Sequence, residues 1–136
     1  MNHVEHIGIA VKNLEASVPL FENLLNAKCY KQETVESEKV ITAFFKTGET
    51  KIELLQDERE DGVISKFIER KGEGIHHIAF EVENIRNEMA RLKQAGFTVL
   101  NEEPKKGADN KLVCFLHPKS TNGVLIELCE QIIPGL

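Results

Sequence analysis

Apolar and polar positions alternate with period two over His6-Ile7-Gly8-Ile9-Ala10-Val11 and over His77-Ile78-Ala79-Phe80-Glu81-Val82. That alternation predicts two strands, each with a histidine at its start. After each strand the period lengthens. Leu14, Val18, Phe21 and Leu24 recur at helical spacing, and so do Ile85, Met89, Leu92 and Ala95. Both stretches predict amphipathic helices with one face on a sheet. Asn13 and Asn84 stand where an N-cap belongs, and Gly96 where the second helix stops. Pro19 falls inside the first helix pattern and predicts a late start or a kink.

The second half reads as a faint duplicate of the first at an offset of 77 − 6 = 71 residues, with His, Ile, Val and Asn coinciding between 6–14 and 77–85. Strand-like runs follow each helix. In the first half these are 40–45 and 51–55, around a Thr47-Gly48-Glu49-Thr50 turn. In the second half they are 97–100, 112–116 and 124–129, separated by turn residues around Pro104, Gly107 and Pro118 to Gly123. Each half therefore reads strand–helix–strand–strand–strand. Between them, Asp57 to Asp61 reads as a solvated charged loop. Val63, Ile64, Phe67 and Ile68 then predict a short helix, closed by Gly72 and Gly74. The fold expectation is α+β: one domain over 1–136, with a first module at about 3–56, a linker helix at about 61–71 and a second module at about 75–131.

Composition narrows the function. The chain has 136 residues, 41% of them hydrophobic, which excludes a disordered segment. Its net charge is −5, which argues against nucleic acid as partner. No apolar run approaches the ~20 residues of a membrane span, and the first residues show no signal peptide. The three cysteines, Cys29, Cys114 and Cys129, fit neither a disulfide framework nor a CxxC clip, so a cytoplasmic setting is expected.

The repeat also pairs carboxylates. Glu53 and Glu127 each lie on the last strand of a half, each flanked by Ile and Leu, at an offset of 127 − 53 = 74. Three extra residues fit a turn of the second half. A lone strand His is ordinarily packed or exposed, and a lone strand Glu ordinarily solvated. Two His–Glu pairs at matching positions are harder to obtain by chance. A buried carboxylate needs a partner, and two imidazoles with two carboxylates suit Ni, Co, Zn, Mn or Fe better than Ca. His3, His76 and His117 have no such partners, and His76 should point away from His77.

At these residues the chain resembles the vicinal oxygen chelate (glyoxalase/bleomycin resistance/dioxygenase) superfamily, and within it the methylmalonyl-CoA epimerases, with glyoxalase I a near relative. The likeness covers about residues 3–131. It rests on Glu5 to Val11, on Gly72-Glu73-Gly74-Ile75-His76-His77-Ile78-Ala79-Phe80, and on Phe115-Leu116-His117-Pro118-Lys119-Ser120 with Asn122 to Leu128. Lys66 to Arg70 resembles the epimerase linker. The resemblance implies paired βαβββ modules forming a cupped mixed sheet. It implies one divalent metal (Co, Ni, Mn or Zn) held by His6, Glu53, His77 and Glu127, and a homodimer. It further implies metal-dependent epimerisation of a small acyl-CoA thioester, methylmalonyl-CoA, by 1,1-proton transfer through a metal-stabilised enolate. Glu127 would be one catalytic base. The other group is Glu53, a metal-bound water, or a residue not yet placed. Glyoxalase I, acting on a glutathione hemithioacetal, is the alternative reading. A non-enzymic ligand-binding member is a further one. Two departures stand out. Some epimerases carry Gln where this chain has Glu53, and some carry a second Glu where this chain has Thr42. Coenzyme A also brings phosphates, which Lys105, Lys106 and Lys119 could meet from second-half loops; the competing reading is solvated surface lysines.

Overall fold

Two strand–helix repeats form where the apolar periods place them, in a computed structural model that describes residues 1–133. The last three residues of the expected 1–136 domain lie outside the described residues. The chain divides into two units. One is His6–His76. The other joins Met1–Glu5 to the chain from His77 onward.

In the first unit β1 (Val4–Ala10, from His6), α1 (Leu14–Leu25), β2 (Lys31–Val35), β3 (Val40–Thr47), β4 (Thr50–Asp57) and α2 (Val63–Lys71) follow in order. The strand order is β2-β3-β4-β1, antiparallel except for the parallel pairing of β1 with β4. The β3–β4 hairpin turns on Gly48, whose φ of +68° is one a β-carbon would strain. Val11, Leu14, Ala43, Phe45 and Leu54 form the core beneath α1, with Val18, Phe21 and Leu25 packed on it. The stripe thus runs through Leu25, and Leu24, expected on it, is exposed.

Pro19 neither delays α1 nor ends it: the helix begins at Leu14, capped by Asn13 Oδ1 accepting from Ala16 N. Pro19 and Glu15, one turn back, are both exposed, so the carbonyl that Pro19 cannot bond faces water. The charged loop is also not wholly solvated. Asp57 is buried, and its carboxylate accepts from Ile64 N (3.3 Å) and Ser65 N (2.5 Å), capping α2. Ile64, Phe67 and Ile68 seat α2 on Ala10, Val40 and Leu55.

The second unit holds β5 (Gly74–Glu81, from His77), α3 (Ile85–Gln94), β6 (Lys105–Lys106), β7 (Lys111–Leu116) and β8 (Ile126–Gln131), in the order β5-β8-β7-β6. Its N-terminal segment is tied in by Asn2 N donating to Glu81 O and Glu81 N to His3 O. Ile85, Met89 and Leu92 pack α3 on Val82, Cys114, Leu116 and Leu128. Asn84 caps α3 at Asn87 N, and Gly96, at φ +97°, follows its end.

Two strand expectations change. Residues 97–100 make one isolated bridge, Val99 with Leu116, because the Asn101 side chain, not a backbone carbonyl, accepts from Phe115 N. Instead Lys105 and Lys106, expected in a loop, form β6 against Val113 and Leu112. The last strand starts two residues late, since Val124 N is held by Thr121 O in the preceding turn.

Candidate metal and active site

The alternation that starts each repeat puts His6, Gly8 and Ala10 on one face of β1, and His77, Ala79 and Glu81 on one face of β5. In the first unit Gly8 is the cross-strand partner of Glu53. In the second, Ala79 is the partner of Glu127. The two His–Glu pairs therefore occupy the same register, each Glu opposite the residue two beyond its His. On its other side each Glu meets a phenylalanine, Phe44 for Glu53 and Phe115 for Glu127. Phe45 pairs with Ile52 and Leu116 with Ile126. Six residues separate the first pair and nine the second, so the three extra residues lie in the β7–β8 turn, as the offsets require.

The repeat reaches individual hydrogen bonds. Leu14 N donates to Gln56 Oε1 at 2.7 Å, and Ile85 N to Glu130 Oε1 at 2.7 Å. In both units the first helical amide is held from the last strand, three residues beyond the candidate ligand Glu. The helix and the ligand strand are thus locked in one register.

His6 Nε2 lies 3.1 Å from Glu53 Oε2, and His77 Nε2 lies 3.4 Å from Glu127 Oε1. All four residues are buried, none more than 6% exposed. Phe115 meets the His77 ring edge-on at 5.9 Å and fixes its plane. Donor atoms bound at 2.0–2.2 Å to one ion sit about 2.8–3.1 Å apart at octahedral angles and about 3.3–3.6 Å apart at tetrahedral ones. Each pair fits that spacing, and it fits a direct imidazole–carboxylate hydrogen bond equally well. The donor set, imidazole nitrogen with carboxylate oxygen, suits Co, Ni, Mn or Zn.

The remaining histidines stand apart from this chemistry. His76 packs edge-on against Phe67 of α2 at 4.9 Å. Its pKa is lowered, chiefly by burial, with Asp57 opposing and Arg70 assisting. His3 lies 3.7 Å from Glu81, and His117 Nδ1 accepts from Lys119 N in the turn after β7. Thr42 is 1% exposed, and its hydroxyl donates to the Glu33 carbonyl.

Two groups of charged residues were not anticipated. In the second unit buried Lys111 lies 2.8 Å from Gln131 Oε1 and 3.8 Å from both Glu5 and Glu81. Burial, then Glu127, pushes the nearby Cys129 thiol far up. The same two causes, in the same order, raise Cys114 to about 11. In the first unit β2 carries Lys31 and Glu33 on its half-buried side, their ion pair 3.2 Å long. The polar sequence of β2 hides it as a strand, and only the Lys-x-Glu-x-Val alternation could have signalled one.

Comparison with known proteins follows the same lines. A model of the Glyoxalase/Bleomycin resistance protein/Dioxygenase superfamily matches residues 5–115. The ethylmalonyl-CoA/methylmalonyl-CoA epimerase of Cereibacter sphaeroides is 42% identical, over 97% of this chain and 99% of that protein. The mitochondrial methylmalonyl-CoA epimerase of Homo sapiens is 38% identical, over 94% and 73%. A solved structure of Streptomyces coelicolor methylmalonyl-CoA epimerase, in complex with 2-nitronate-propionyl-CoA, superposes with a TM-score of 0.93 at 32% identity, covering 98% of this chain and 99% of that one.

Proposed function

Because this chain belongs to the Glyoxalase/Bleomycin resistance protein/Dioxygenase superfamily, in its methylmalonyl-CoA epimerase family, we propose that it interconverts the two epimers of methylmalonyl-CoA. The observation that carries the chemistry is the duplicated, buried His–Glu pair in matching register. The substrate rests on relatives that match nearly the whole chain. The same reading treats 1–136 as one vicinal oxygen chelate domain and expects a homodimer.

The reaction removes the proton from the carbon between a thioester and a carboxylate, then returns a proton to the opposite face. Glu127 accepts the proton on one face. Proton transfer by a positioned group contributes typically 10²–10⁴-fold and needs a reach of about 3 Å. His6, Glu53, His77 and Glu127 would hold one divalent ion, which supplies Lewis-acid stabilisation of the negative charge that develops on the thioester oxygen. The aromatic rings beside each Glu, Phe44 and Phe115, limit water around the carboxylates and favour transfer to carbon.

The test is a paired assay on metal-stripped protein reloaded separately with Co, Ni, Mn and Zn. One arm holds a single epimer of methylmalonyl-CoA in heavy water, and the other holds methylglyoxal with glutathione. Deuterium entry with loss of chirality is expected in the first arm only, and only after reloading. Turnover in the second arm alone would move the protein to glyoxalase I. Silence in both, with metal bound, would leave a ligand-binding member and end the epimerase reading.

A further inference from the structure

In the first unit the face that carries His6 and Glu53 is basic at its open end. Cross-strand partners share a face, so the register places Lys51 of β4 beside His6 and, one strand further, Lys46 of β3 beside Lys51. The next row runs Gly8, Glu53, Phe44 and Lys31. Three lysines therefore share the face of the His6–Glu53 pair. The second unit closes in the same register without them. Two residues before Glu127 and two after Phe115, the places of Lys51 and Lys46 are taken by Leu125 and His117. The fold itself needs no lysine there, and the chain as a whole is acidic, with a net charge of −5.

The lysines differ in what holds them. Lys31 is half-buried and ion-paired with Glu33 at 3.2 Å. Lys46 is exposed, and among the described residues it forms no ion pair. Its ammonium instead rests over the Tyr30 ring, 4.9 Å from the centre. Tyr30 is fixed in turn: its N–H donates to the Phe44 carbonyl at 3.1 Å, and its ring lies 6.1 Å from that of Phe44. An ammonium held on an aromatic face keeps its charge and its N–H groups for a further partner. It also loses less freedom when that partner binds.

We propose that Lys46, held on Tyr30, anchors the phosphates of the coenzyme A arm. Lys51 extends the positive field toward the acyl end, and Lys31, shared with Glu33, adds less. This inference rests on the epimerase reading above. The lengths agree. Lys46 stands two strands from β1, or about 10 Å. Its side chain adds up to about 6 Å on the advance per bond of an extended chain. The pantetheine arm, about thirteen bonds from sulfur to the first phosphorus, spans up to roughly 15 Å on the same scale. A thioester at the His6–Glu53 pair therefore brings the diphosphate within reach of Lys46. Lys51, one strand from His6, lies too near the pair to serve the same group.

Lysines near a sheet edge also serve to keep it from pairing with other chains. Two substrates separate the roles: methylmalonyl-CoA, and methylmalonyl-pantetheine, which has the same reacting carbon and no phosphate. With Lys46→Glu the proposal expects KM for methylmalonyl-CoA to rise at least ~10-fold. It expects kcat and metal content to match wild type, and both constants for methylmalonyl-pantetheine to stay unmoved. Equal change with both substrates, or no change with either, overturns it. So does a KM rise for methylmalonyl-CoA in Lys119→Glu with K46E silent, which would move the phosphates to the second unit. Calorimetric titration with coenzyme A needs no turnover. K46E should bind it at least ~10-fold more weakly than wild type, the gap shrinking as salt rises. If wild type binds coenzyme A in this way yet exchanges no proton of methylmalonyl-CoA, the epimerase reading fails and the anchor stands. If wild type epimerises and K46E matches it, the anchor fails and the reading stands. Should K46E fail to fold, Lys46→Gln carries the same comparison: weaker binding of the phosphate-bearing substrate alone supports the proposal, and wild-type behaviour overturns it.

Discussion

His76 and His77 are neighbours in sequence with opposite fates. His77 is buried against Glu127, while His76, on the other face of β5, packs against Phe67. Burial depresses the His76 pKa below its ordinary 6.5, so the folded state binds its proton less readily than the unfolded chain does. Its contribution to stability is therefore present above pH 6.5 and is lost as pH falls through 6.5 toward the lower folded value. Urea unfolding at pH 7.5 and pH 5.0 checks this: wild type should lose more stability on acidification than His76→Gln. Equal losses would remove His76 from the account. That His76 turns away from His77 follows from strand alternation alone. That Asp57 caps α2 does not, because the bond runs from the end of β4 to amides seven and eight residues on and depends on how the intervening loop folds back.

Among the elements, α1 tests how far packing outweighs propensity. Pro19 sits in an exposed helical turn that the Leu14, Val18, Phe21 and Leu25 stripe nevertheless holds to the sheet. Pro costs up to about 3 kcal/mol in a helix interior. Pro19→Ala should stabilise the chain by about 1–3 kcal/mol in chemical denaturation with no change in metal content, and an unchanged midpoint would show that the backbone there already accommodates proline. The long, strongly periodic elements were readable: β1, α1, β3, β4, β5, α3 and β7. The short or polar ones were not. β2 carries only one apolar residue and β6 is two lysines, so their pairing is imposed by β3 and β7, whose edges they complete. Residues 97–100 look like a strand because they are apolar, and they are apolar because Phe97 and Val99 pack on the α3 core.

At the scale of the whole molecule, duplication is the organising fact. The register, the Phe beside each Glu and the amide held from each last strand all occur twice. If both pairs serve one ion, as proposed, purified protein holds about one divalent metal per chain, and His6→Ala or His77→Ala alone releases it. Elemental analysis decides: a variant that keeps half the metal would mean separate sites. Added metal at 100 times its dissociation constant should raise the stability of stripped wild type by ~2.7 kcal/mol and leave the variants unmoved.

From sequence alone came the repeat, the two helices with their asparagine caps, the pairing of each strand His with a last-strand Glu, and the family. These rest on local period and on residue chemistry that holds wherever the chain goes. Only the tertiary structure decided that Asp57 caps a helix, that Thr42 is buried and already bonded, and that Lys51 and Lys46 stand in the row of His6. Each of these depends on which strand lies beside which and in what register. Register arises from many side chains packing at once, and no single stretch of sequence contains it.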